Sequence, residues 1–123
     1  MRCDAAEAAG TMRLLARPRG ELPQCSGVWH AAGALSDGLL PNQDASSMWR
    51  VHAPKASGAA ALQGAGERSS LRAQALFSSV AALFGGAGQA NDSAANAVLD
   101  ALAVCRRVRG GMRSCCRAVR TCG

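Results

Sequence analysis

The chain has 123 residues and 49% of them are hydrophobic, yet alanine alone supplies 27 and the large Leu, Val and Phe only 21, with no Ile or Tyr. That share of large apolar side chains, about a sixth, lies below the roughly 20% under which a chain has little core to bury, and the length excludes a large multidomain enzyme. The formal net charge of +6 is concentrated, because residues 1–103 carry eight basic and eight acidic groups and the excess sits in Arg106, Arg107, Arg109, Arg113, Arg117 and Arg120.

Residues 1–17 are Ala-rich and predict a short helix with Ala5, Ala8, Met12 and Leu15 on one face, interrupted at Gly10 and Thr11. No apolar signal region precedes it, and Asp4 and Glu7 count against a mitochondrial transit peptide, although a start at Met12 leaves organelle import open. Residues 18–66 hold Pro18, Pro23, Pro41 and Pro54 among many glycines without sustained periodicity, which predicts a loop-rich, disordered middle.

From Arg68 to Phe84, the positions Ala73, Leu76, Phe77, Val80, Leu83 and Phe84 recur at helical spacing, and Gly85-Gly86 supplies a stop. Asp92 or Ser93 caps a second helix to about Arg109, with Ala94, Val98, Ala101, Leu102, Cys105 and Val108 as its apolar stripe and Arg106, Arg107 and Arg109 in its last turn. Two helices joined by a short polar turn pack antiparallel, so residues 67–109 read as a helical hairpin. Burying Leu76, Phe77, Val80, Leu83 and Phe84 does not offset the ordering of so many residues, so the hairpin needs a third element, a second copy or a partner on that face. The fold class expected is mainly α: a small αα-hairpin with a disordered middle region and a basic, Cys-rich C-terminal tail at 110–123.

No motif nominates catalysis. Gly86 and Gly88 fall short of a dinucleotide fingerprint because Asn91 stands where Gly or Ala is needed and the preceding element reads as helix. A P-loop is absent, and the acids do not pair into an acid/base couple. The spacing of Cys105, Cys115, Cys116 and Cys122 matches no zinc module, and Cys25, His30 and His52 are too irregular to name a metal site, so neither metal nor cofactor is expected. Arginines beside Cys115 and Cys116 favour their thiolates and make them redox-reactive.

The function these residues predict is a non-enzymatic interaction protein, intracellular and soluble without a transmembrane segment. Its six tail arginines bind nucleic acid or an acidic protein through phosphate-like contacts and without sequence specificity. Self-association is expected through Leu76, Phe77, Val80, Leu83 and Phe84. A second reading comes from the C-terminus: Gly110-Gly111 followed by MRSCCRAVRTCG resembles a double-glycine leader and its short core, which implies the precursor of a processed Cys-rich peptide. The third is compositional, since 13 arginines against one lysine also suit a GC-rich reading frame with no selected function.

Overall fold

The computed structural model describes residue 4 and residues 6–16, 25–69, 71–109 and 115–121, the last group as backbone. Helix α1 (Ala8–Leu15) is followed by strand β1 (Gly27–His30), a 3-10 turn (Leu40–Asn42), helix α2 (Ala45–His52), a π-turn (Ala53–Ser57) and helix α3 (Gly58–Glu67). Strand β2 (Ala73–Ser79), the short helix α4 (Ala81–Phe84), the long helix α5 (Ala90–Val108) and strand β3 (Cys115–Thr121) complete the order.

The three strands form one parallel sheet in the order β1-β2-β3, and Leu76 of the central strand lies opposite His30 on one side and Ala118 on the other. Parallel neighbours cannot be joined by a tight hairpin. The chain therefore crosses from β1 to β2 through α2, the π-turn and α3, and from β2 to β3 through α4 and α5. Leu76 meets Leu99 and Ala103 of α5 and Ala59 of α3 in the core, with Leu102 packed against it.

This architecture corrects the expected mainly-α hairpin: the fold is α/β. Residues 73–79 are a strand although their apolar positions suit a helix. On β2 the alternate residues Gln74, Leu76 and Ser78 are buried and their neighbours half-buried. Two of the three buried positions are polar, which erases the period-2 signal, and a strand covered on both faces carries apolar residues on both sides. The expected disordered middle holds β1, α2 and α3, and the expected basic tail contributes β3.

The elements of the middle region have local causes. Asp44 caps α2: its Oδ1 accepts from Ser47 N–H at 2.7 Å, and Asp44 N–H donates to Ser47 Oγ at 3.0 Å. These bonds hold the Asp44 carboxyl below its ordinary range, the backbone donor contributing most. Pro54 has no N–H to give and its ring crowds the preceding turn, so the helix widens into the π-turn at 53–57 before resuming as α3. Among the described residues, no helix is long and apolar enough to cross a membrane.

Candidate functional site

A cleft of about 650 Å³ opens beyond the carboxyl ends of β1 and β2. Open parallel sheets bind ligands at this end, where successive strands feed loops to either side of a crevice. Ala31, Ala32, Gly33 and Ala34 after β1 form one wall, and Ser79, Val80 and Ala81 after β2 form another. Their small side chains leave space, and a Cβ at Gly33 would stand 2.9 Å from Lys55 Cε and push the lysine side chain aside.

The polar end of the cleft is built from Lys55, Asp92 and Asn96. Lys55 Nζ donates to Asp92 Oδ1 at 2.5 Å and to Asn96 Oδ1 at 3.3 Å. Asn96 Nδ2 donates to Asp92 Oδ2 at 2.8 Å and to the Asp92 carbonyl at 2.9 Å. Asp92 and Asn96 are four apart on α5, so they share a face, and the carboxylate lies in the first turn, where the helix dipole favours negative charge.

Each member of this triad is placed by its surroundings. Lys55 rides on the π-turn, whose carbonyl at Lys55 accepts from His30 Nε2 at 2.9 Å, tying it to the end of β1. The start of α5 is fixed by Asn91, whose Nδ2 donates to the Ser36 carbonyl at 2.8 Å while its Oδ1 accepts from Asp92 N–H. Ser78 Oγ donates to the Asn96 carbonyl at 3.3 Å, which holds α5 against β2. The neighbouring Ser79 Oγ accepts from Ala81 N–H at 3.2 Å. Its own O–H has no acceptor among the described residues, so it is available to a ligand in the cleft.

The residues singled out from sequence lie elsewhere. Arg106 packs back on α3, its Nη1 donating to the Gln63 carbonyl at 3.3 Å and standing 3.6 Å from Glu67. Arg107 and Arg109 are exposed at the end of α5. Arg117, Arg120, Cys115 and Cys116 belong to β3, where Cys116 is in register with Gln74, whereas Arg113 falls outside the described residues. The expected self-association face is divided: Leu76 is buried, Phe77 and Val80 line the cleft, and Leu83 and Phe84 are exposed.

Lys55 is the one lysine in the sequence, and that isolation is the signal that composition offered and motif reading missed. Asp92, Asn96 and Ser79 carried no pattern by themselves.

Comparison with known proteins now decides the family, for the KR domain matches residues 1–118. The chain belongs to the KR domain family. It is 43% identical over 97 residues to mellein synthase of Phaeosphaeria nodorum, covering 79% of this chain and 5% of that protein. The ketoreductase from the first module of phoslactomycin biosynthesis in Streptomyces sp. HK803 is similar at 33% identity and a TM-score of 0.82, over 98% of this chain and 26% of that structure. The first ketoreductase of the tylosin PKS is 35% identical with a TM-score of 0.79, over 96% of this chain and 24% of its own.

This KR-domain chain thus spans a small fraction of mellein synthase and about a quarter of these ketoreductases. The match overturns the expected non-enzymatic interaction protein, since the KR relatives are oxidoreductases, and it replaces an uncharacterised helical protein by a ketoreductase-type domain.

Proposed function

We propose that this chain forms the carbonyl-binding side of a ketoreductase site of the polyketide-synthase type. The observation that carries the reading is the convergence of Lys55 and Ser79, whose O–H has no acceptor among the described residues, on one cleft at the carboxyl edge of a parallel sheet. A ketone offers two lone pairs on its oxygen, and an ammonium and a hydroxyl donor at that oxygen polarise it toward nucleophilic attack at carbon. Asp92 holds the ammonium in place, and Asn96 holds Asp92.

Reductases of this kind use NADPH, and the residues present do not fit a whole dinucleotide. The sequence contains no G-x-G-x-x-G. The glycine cluster Gly85-Gly86-Ala87-Gly88 at the cleft follows helix α4 instead of a strand, with φ of 70° at Gly85 and 75° at Gly88 serving the turn into α5. The function read from these residues is therefore recognition and polarisation of the carbonyl. Both carboxyl oxygens of Asp92 are taken by Lys55 and Asn96, and the sequence has no tyrosine. The ammonium of Lys55 and the hydroxyl of Ser79 are the donors facing the cleft.

The test is calorimetric titration of the chain with an uncharged β-keto thioester. Ser79→Ala and Lys55→Met should each weaken binding about tenfold or more, as expected for loss of a directed hydrogen bond. Ser79→Ala leaves the Lys55–Asp92 ion pair intact, so it answers even where Lys55→Met unfolds the chain. Wild-type affinity in a folded Ser79→Ala variant, or no binding by the wild-type chain, would refute the reading.

A further inference from the structure

The sheet ends at β1 on one side and at β3 on the other, and the two edges differ. A strand edge carries unpaired N–H and C=O groups that invite a further strand, and charged side chains guard against it. β3 includes Arg117 and Arg120 and no acid. β1 lies within residues 25–36, which contain no Asp, Glu, Lys, Arg or Pro. The Ser26 carbonyl accepts from Ala73 N–H at 3.2 Å, so Ser26, Val28 and His30 face β2 while Gly27 and Trp29 turn their backbone groups away from the sheet. Extending the strand by one residue turns Ala31 outward as well. The outward Gly27 carbonyl receives the weak Cys25 thiol at 3.3 Å, which leaves it a lone pair to share. Trp29 is 68% exposed, and its indole lies back over Gly27, where a Cβ would stand 2.9 Å from the ring.

We propose that β1 is a contact between two copies of this chain, joined antiparallel and edge to edge about a two-fold axis at Trp29. The backbone selects this occupant, because a residue whose N–H and C=O both face outward meets its own equivalent across such an axis and exchanges both bonds with it. Centring on Trp29 sets it against the partner's Trp29 and sets Gly27 against the partner's Ala31, so every outward-facing residue is engaged. A centre on Val28 or His30 would bring inward-facing groups to the seam. The two indoles then share one face of the joined sheet as a cross-strand aromatic pair, and Gly27 and Ala31 are too small to obstruct them. Charge agrees with this choice. Nothing in residues 25–36 repels its own copy, whereas β3 against β3 sets arginines against arginines, and β1 against β3 does not close but runs on as a filament. Ala31 also opens the cleft wall, so the partner's Gly27 holds that wall where it leaves the sheet.

A seam of one short strand falls below the roughly 1,000 Å² of a tight interface, so the association is weak and is read against concentration. Sedimentation of the chain in reducing buffer should show its mass doubling as concentration rises through the micromolar range. In Trp49→Phe, which leaves Trp29 as the single tryptophan, the emission should shift to the blue with the same midpoint. Trp29→Lys and Trp29→Glu should each keep the single-chain mass, because like charges then meet at the axis. An equal mixture of the two should recover the doubled mass, which separates an effect at the seam from a failure to fold. A single-chain mass at every concentration, with Trp29 emission unshifted, would overturn the proposal. So would a doubling that persists in folded Trp29→Lys, a mixture that stays single, or a mass that grows past two copies, which would join β1 to the partner's β3.

Discussion

The buried face of β2 carries a polar residue at each end, and the two ends are treated differently. At the carboxyl end Ser78 bonds the Asn96 carbonyl, and behind it Lys55, Asp92 and Asn96 satisfy one another around the cleft. At the amino end Gln74 is equally buried, and neither its Oε1 nor its Nε2 has a hydrogen-bond partner among the described residues. A buried network with every member bonded fixes geometry, whereas a buried amide without partners only costs stability. Preorganisation in this fold is spent at the end where a ligand binds, and the opposite end tolerates a defect.

That contrast breaks most visibly at Asp92. Asp92→Leu leaves the half-buried Lys55 ammonium without its counter-charge and should destabilise the chain by about 1–3 kcal/mol. The double variant Lys55→Met with Asp92→Leu removes both charges and should recover most of the loss. Urea denaturation of the three proteins reads the difference, and a double variant no more stable than Asp92→Leu would show that the pair is not what holds this end together.

The amino end should respond in the opposite direction. Gln74→Met keeps the volume and removes two buried polar atoms that have no partner among the described residues, so it should raise stability by about 1–3 kcal/mol in the same denaturation assay. A loss of stability would mean that Gln74 has a bonding partner after all, and the two ends of β2 would then be alike.

Why the sequence revealed some of this and hid the rest follows from the same two ends. A helix over α5 is legible in the alanine-rich run closed by Arg106 and Arg107, but its buried face is not. Of the expected stripe, Ala94, Val98, Ala101, Cys105 and Val108 are exposed and Leu102 alone packs against the core, while Asp92, Ala95, Asn96, Leu99 and Ala103 are buried. The buried face looks polar because it carries the site. β2 was hidden for a related reason, since Gln74 and Ser78 interrupt its buried alternation and Phe77 and Val80 belong to the cleft. Lys55 could be found only by asking why an arginine-rich chain keeps one lysine. The sheet itself, joining Gly27, Ala73 and Cys115 in register across the chain, is long-range pairing to which local periodicity is blind.

The smallest expected effect lies away from both ends, at the cap of α2, and it separates local from tertiary electrostatics. Asp44 is exposed, and its carboxyl is held below its ordinary value near 3.8, first by the Ser47 backbone donor and then by the Ser47 and Ser46 hydroxyls. Because the folded-state value is depressed, the cap stabilises the protein above the unfolded value and loses that contribution as pH falls through the folded one. Asp44→Ala should therefore lower the melting temperature slightly at neutral pH, and the gap from wild type should close in acid. Asp44→Asn keeps an acceptor without a titrating charge, so its melting temperature should run parallel to that of Asp44→Ala through the same acid range. A gap between Asp44→Ala and wild type that stays constant through that range would place the contribution in the backbone turn, independent of the ionised cap.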